Sequence, residues 1–415
     1  MSERQFFRPL RAFAATEAAG GMLTLAGAGV ALVWANISHS TYSSFWSTET
    51  SISIGHHVLQ LDLKHVVNEG LMAIFFLVVG LEIKRELVLG ELRVLRRAAL
   101  PVAAAVGGML VPAALFALIT RGSSAGHGWG VPMATDIALA LGVIALVGRK
   151  IVPASLSLFL LAVAIVDDIG AIVVIAVFYS GGIAVSWLLV AAAIVAAAIV
   201  LRRLRVSSTL IFVVTGAGLW LALHNAGVHA TIAGVVMGLL APTTSKLAPH
   251  EIDHGELLDL SSPEAATVTA TLARHSVSVV ERLEYALHPL TSFAIVPIFA
   301  VANAGIRFDT DLFDGLAGSR VFWGIVIGLV VGKPLGITAA AWLAVRCGAA
   351  ELPTGVRFGQ VAAIGAVAGI GFTVSVFVSE LAFFDDGVLG HAKVGVLAAS
   401  LLAGAIGVVA LRSTR

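Results

Sequence analysis

One cysteine, Cys347, stands in the whole chain of 415 residues. An internal disulfide is therefore excluded, and a lone thiol fits a loop in a reducing compartment. Charge is scarce as well. Asp, Glu, Lys and Arg make up 12 % of the residues, about half the roughly 25 % usual in soluble domains. Also missing are a glycine-rich phosphate loop, a Cys/His cluster at metal spacing and a serine elbow. The short alternating segments of a transmembrane barrel are absent too. The net charge of +1 is silent about partners. No cofactor and no nucleic acid is expected.

What the chain has is apolar sequence, 58 % of it hydrophobic, in runs long enough to cross a bilayer from end to end. The expected class is an all-α polytopic membrane protein, read as a single transmembrane domain over residues 1–415. Candidate spans begin near residues 16, 67, 98, 131, 153, 183, 207, 228, 287, 321, 358 and 391. The first follows Arg4, Arg8 and Arg11 as a signal peptide would, but no cleavage site ends it and many spans follow, so it reads as the first helix. Twelve spans put both termini on one side. With that side inside, the inner segments hold twenty of the 26 lysines and arginines and the outer ones five, Lys333 alone lying at membrane depth. Such a bias places both termini in the cytoplasm.

The run from Pro153 to Tyr179 carries two adjacent carboxylates, Asp167 and Asp168, near its middle. An ionised aspartate there costs about 2.5–3.5 kcal/mol on insertion scales, so two in succession point to function. Successive helical residues diverge by about 100°, so one carboxylate faces a wet cavity and the other an internal partner. The fourth span contains Val131-Pro132-Met133-Ala134-Thr135-Asp136, where a proline and two polar residues favour a broken helix. The eleventh offers a counterpart in Gly365, Gly369 and Gly371, followed by Phe372-Thr373-Val374-Ser375. Interrupted segments at corresponding places in two halves point to a transporter site, although close helix packing by itself accounts for the glycines. Asp136 is placed to offset the positive ends of crossed half-helices. Lys333 lies too deep to reach water with certainty and needs an anion, for which Asp167 is the economical match.

Outside the spans, the run from Ser51 to Leu63 alternates apolar and polar residues about Gly55 and reads as a β-hairpin within an extramembrane stretch of residues 45–65. A lone hairpin is marginal in water, which favours pairing with the same hairpin of a second copy, a homodimer. The second span ends in Gly80-Leu81-Glu82-Ile83-Lys84-Arg85-Glu86-Leu87, whose charges suit either helix-end salt bridges or an ion entrance. His229 opens the eighth span near the outer side. Residues 242–282 form the longest polar connection, read as a cytoplasmic loop leading to Glu284, Tyr285 and His288. Glu380 is read as interfacial.

Several of these motifs in one order resemble the NhaA-type sodium/proton antiporters. They are Ala134-Thr135-Asp136, Asp167-Asp168, Gly332-Lys333-Pro334-Leu335-Gly336, Gly80 to Leu87, Gly227-Val228-His229-Ala230-Thr231 and Phe299 to Gly305. The resemblance runs from the first span to the last. It implies twelve helices in the bacterial inner membrane, inverted repeats, and crossed, broken fourth and eleventh helices. It also implies electrogenic, pH-regulated exchange of cytoplasmic sodium or lithium for protons. On that likeness Asp168 is the main ion-binding carboxylate, with Asp136 and Thr135 beside it on a transient sodium ion, and Asp167 pairs with Lys333. Glu82, Arg85, Glu86, Glu284 and His288 match a pH-sensing cytoplasmic mouth, and His229 a histidine tied to the pH profile. Tyr285 departs from the pattern, since the best-known member has a histidine there.

Other classes fit less well. An intramembrane aspartyl protease lacks its Gly-x-Gly-Asp signature here, and an ion channel would need a continuous polar pore. A sodium-coupled solute symporter on a related fold is the serious alternative.

Overall fold

The computed structural model describes residues 8–54, 57–148, 151–204, 209–243 and 278–414. The chain opens with α1 (Arg8–Ile37) and a short α2 (His39–Trp46). A two-stranded sheet follows, β1 (Glu49–Ile54) against β2 (His57–Asp62). Then come α3 (Leu63–Val88) and α4 (Leu95–Ile119). A 3-10 segment, Ser124–Met133, leads into α5 (Ile137–Val147). After it lie α6 (Ala154–Phe178), α7 (Val185–Arg203), α8 (Thr209–Asn225) and α9 (Ile232–Leu240). The remainder comprises α10 (Val280–Asn303), α11 (Thr310–Leu316), α12 (Arg320–Arg346), α13 (Phe358–Ala368), α14 (Phe372–Ala382) and α15 (Asp386–Ser413).

This is a helical, polytopic membrane protein. Among the described residues, eight helices are long and apolar enough to span: α3, α4, α6, α7, α10, α12, α15 and the part of α1 from Ala18 to Ile37. Two further spans are bent pairs, by 43° between Ala125–Met133 and α5 and by 51° between α13 and α14. The spans expected near residues 207 and 228 are shorter than the pattern implied. Helix α9 has nine residues, about 14 Å of rise at 1.5 Å per residue, less than half the bilayer core. Its start is delayed by a turn at Gly227, whose φ of +75° an L side chain rarely adopts. Pro242 follows its C-cap residue Ala241 and blocks continuation.

Small residues set the helix spacing. A Cβ on Gly107 of α4 would lie 2.3 Å from the carbonyl oxygen of Gly336 in α12, so the two backbones pack nearly in contact. Helix α3 packs along α9, and α1 runs beside both α5 and α10. Side chains of α7 are almost all outward and apolar, Leu189 being 67 % exposed, as a lipid-facing helix requires. Turns of π-helix interrupt α3 at Val66–Leu71, α10 at Thr291–Ile295 and α12 at Gly328–Gly332, a feature that tends to mark functional segments.

The hairpin is present with its strands antiparallel, from Glu49 opposite Asp62 to Ile54 opposite His57. Its turn at residues 55–56 lies outside the described residues. Asp62 ends the second strand and caps α3, its Oδ1 accepting from the backbone N–H of His65 at 2.6 Å. The long connection expected over residues 242–282 falls outside the described residues from 244 to 277.

Candidate functional site

The two bent pairs meet at their breaks, and each exposed helix end finds a partner there. Residues 134–136 are non-helical because Pro132 and the extended backbone of Ala134 and Asp136 stop the first half-helix. The two N-termini meet one carboxylate. Asp136 Oδ1 accepts from the N–H of Leu139 in α5 at 3.1 Å, and Oδ2 accepts from the N–H of Thr373 in α14 at 3.1 Å and from its hydroxyl at 2.7 Å. An anion at two helix N-termini is where the peptide dipoles favour it. The two preceding ends present carbonyls, and donors meet them. Lys333 Nζ donates to the carbonyl of Met133, and Thr135 Oγ1 lies 2.9 Å from that of Ala368. Asp136 N–H donates to the carbonyl of Ile370 at 2.6 Å, joining the two breaks. Gly371 has no room for a side chain, since a Cβ would sit 2.3 Å from Ser375 Oγ and 3.0 Å from the Ala134 carbonyl. In this span the glycines are therefore there for close approach.

Asp167 and Asp168 take opposite surroundings, as adjacent helical positions must. Asp167 is fully buried, and its Oδ2 accepts from Lys333 Nζ at 2.6 Å and lies 2.8 Å from Thr135 Oγ1. The single Thr135 proton can serve Asp167 or Ala368 but not both at once. Lys333 is equally buried, so this ion pair ties α12 to α6 inside the protein. Asp168 lines a cavity of about 60 Å3 with Thr135, Asp136, Thr373, Glu82 and His288. Among the described residues no hydrogen bond reaches its carboxylate. A volume of that size holds a few waters or one small, partly hydrated cation. Thr24, Thr291 and Ser292 complete the polar part of its wall.

From the carboxylates the cavity extends along α3 and α10. Glu82 and His288 are both 8 % exposed and border it. One helical turn further, Arg85 forms an ion pair with Glu284 that joins the two helices. Glu86 follows on α3, half-buried and outside the cavity wall. Tyr285 points away, 86 % exposed. The structure does not bring His229 to this group. Its Nε2 lies 2.7 Å from the Tyr179 carbonyl, joining the turn before α9 to the end of α6.

Three features escaped sequence reasoning. Thr373 was visible only as a polar residue after glycines, and nothing in the spacing gave it Asp136 as partner. Buried Asn303 exchanges amide hydrogen bonds with Asn68, at 2.7 and 3.2 Å, closing the start of α3 on the end of α10. Glu380, near the end of α14 with its side chain 10 % exposed, stands between two lysines that the sequence did not pair with it, Lys64 at 2.8 Å and Lys393 at 2.6 Å. The signal was the pair of cations early in the second and twelfth spans, which no periodicity connects to Glu380.

A helical membrane protein whose two broken spans meet around internal carboxylates, with Asp168 facing a small cavity, has the makings of an ion-coupled transporter. The sequence profile described as Na+/H+ antiporter 1 matches residues 11–411. A Na(+)/H(+) antiporter NhaA 2 of Myxococcus xanthus (strain DK1622) is 45 % identical over 97 % of this chain and 88 % of its own length. A Na(+)/H(+) antiporter NhaA of Janthinobacterium sp. (strain Marseille) is 44 % identical over 98 % and 93 %. Another from Oleidesulfovibrio alaskensis is 44 % identical over 97 % and 93 %. The chain belongs to the NhaA-type Na+/H+ antiporter family.

Proposed function

We propose that this chain is a secondary transporter that exchanges sodium or lithium, moving outward, for protons moving inward. The observation that carries the reading is Asp168, a carboxylate at membrane depth that lacks a hydrogen-bond partner among the described residues and opens on a cation-sized cavity. Sodium is a hard cation suited to oxygen ligands, and Asp168, Asp136 and Thr135 supply two carboxylates and a hydroxyl around that space. A proton on Asp168 removes the charge that would hold sodium. Competition between the two for one carboxylate, with the site open to one side at a time, gives exchange without any further device. Symport has no observation in its favour.

Twelve spans, counting the short α8 and α9 and each bent pair as one, arranged as inverted repeats, fit this reading. The two breaks lie in different halves of the chain and are closed by reciprocal partners, which supports the repeats. The lysine and arginine bias supports cytoplasmic termini in a bacterial inner membrane. Glu82, Arg85, Glu284 and His288, with Glu86 beside them, then stand on the cytoplasmic approach to Asp168 and set its response to pH. His229 acts from the far end of α6, through Tyr179. The hairpin pairs with its copy in a homodimer.

The experiment is sodium-driven pH change across proteoliposomes, run with and without a permeant ion to clamp the voltage. Exchange that speeds up when the voltage is clamped establishes electrogenic antiport, and sodium uptake with no proton countermovement overturns the reading.

A further inference from the structure

On the hairpin side of the site the route is shut twice over. On two of the helices that line the cavity an aromatic ring stands about one turn past the last lining residue, Phe299 after Val296 on α10 and Phe377 after Val374 on α14, and Phe76 of α3, next to the lining Phe75, joins them; all three rings are nearly fully buried. Phe377 touches both others, with ring centroids 5.5 Å from Phe76 and 6.1 Å from Phe299. Beyond the rings comes the ionic group. Glu380 is seven residues along α14 from Thr373, about 10 Å of helix rise. It forms ion pairs with Lys64 at the start of α3 and with Lys393 in α15. Glu380 and Lys393 are 10 % and 9 % exposed, Lys64 31 %. Both lysines line the floor of a separate 560 Å3 cavity, together with Tyr42, Arg307 and Asp386. The ionic group thus separates this wide vestibule from the aromatic plug, and the plug separates the group from Asp168.

We propose that Glu380, held by Lys64 and Lys393, is a latch that keeps the hairpin-side route to Asp168 closed. The proposal rests on the transport reading above and adds a positioning residue for the opposite face. Glu380 sits on the half-helix whose first turn binds Asp136, so any movement of α14 that opens the hairpin side must pull the carboxylate from its lysines. Breaking such a pair by removing one partner leaves a buried charge uncompensated unless water reaches it. Loss of the carboxylate therefore favours the state in which the vestibule extends inward and wets Lys393. Two cations on one carboxylate also explain why one of them, Lys64, can sit at the rim.

The test uses the full chain in oriented proteoliposomes, with Cys347→Ser removing the exposed native thiol and Ser379→Cys as reporter. Ser379 is fully buried between Phe377 and the latch. With Glu380→Gln, labelling by a membrane-impermeant maleimide from the hairpin face should accelerate roughly tenfold, the size of shift available to a minor open state. Lys64→Gln, at a partly exposed position, should give a smaller acceleration and serves if Glu380→Gln does not fold. An unchanged labelling rate, with only an earlier unfolding temperature, makes the group a simple tie and overturns the latch. Equal acceleration from both faces overturns it too. Labelling needs no transport, so absence of exchange by the unmutated chain would sink the proposed function while leaving the latch readable.

Discussion

Asp136 and Thr373 meet through two hydrogen bonds to one carboxylate oxygen, 3.1 Å from the backbone N–H and 2.7 Å from the hydroxyl. The second oxygen caps α5 at Leu139. One side chain therefore closes two half-helices and also borders the cavity that Asp168 faces. Its charge is already engaged by N–H groups, whereas that of Asp168 is not.

That difference ranks the two aspartates. Asp136→Asn keeps an oxygen for one helix end but weakens the other contacts, so exchange should survive with a raised apparent sodium requirement, by roughly tenfold for about 1.4 kcal/mol of lost interaction. Thr373→Val, which removes the hydroxyl and keeps the backbone donor, should act in the same direction and less strongly. The measurement is the sodium concentration for half-maximal pH change. Complete loss of exchange in Asp136→Asn would reverse the ranking.

Asp168→Asn should abolish sodium-driven proton movement and leave the fold intact. The carboxylate makes no hydrogen bond among the described residues, so its replacement by an isosteric amide disturbs no structural contact. Unfolding temperature and elution as a single species should match the unmutated protein. Substantial exchange by the purified variant would remove Asp168 from the centre of the mechanism.

Much of this arrangement was legible beforehand, for identifiable reasons. A charge at membrane depth is costly, so Asp167, Asp168 and Lys333 stood out against apolar surroundings, and the structure pairs Asp167 with Lys333. Pro132 announced the break in the fourth span because helices tolerate proline poorly, and of the glycines in the eleventh only Gly369 and Gly371 flank its break, Gly365 lying inside α13 against Pro334. Other features turn on contacts between distant segments. Thr373, Asn68 and Asn303 are ordinary polar residues until the fold brings them face to face. The partners of Glu380, Lys64 and Lys393, come from two other helices, and no spacing along the chain connects them to it. The shortness of α9 also escaped notice, since apolar sequence continues through the turn that precedes it.

The hairpin can be tested apart from transport. Its strands lie before the first residue of α3, and Asp62 caps that helix. Replacing residues 51–60 by a short glycine linker therefore spares Asp62 and the start of α3. Dimers should weaken in detergent, read by light scattering at falling protein concentration, while exchange per monomer persists. A dimer unchanged by the deletion would place the interface elsewhere.

Lys333 invites the most informative substitution, because its role can be structural, chemical or both. Its ammonium contacts Asp167 at 2.6 Å and donates to the Met133 carbonyl at the end of a half-helix, all inside the protein. Removing one partner of a buried ion pair typically costs about 3–5 kcal/mol. Lys333→Gln keeps much of the length, retains an amide donor for Met133 and loses the charge, so the loss of stability should fall toward the lower end of that range. The chemical role concerns protons. If sodium binding draws Asp167 or its neighbours away from the ammonium, Lys333 can release a proton that Gln does not carry. Exchange by Lys333→Gln should then persist, but without electrogenicity, and clamping the voltage should no longer speed it. The unfolding temperature should fall in the same sample. If instead exchange persists, remains voltage-sensitive and only the unfolding temperature drops, the lysine is a tie between α6 and α12, and the exchanged protons must come from the aspartates.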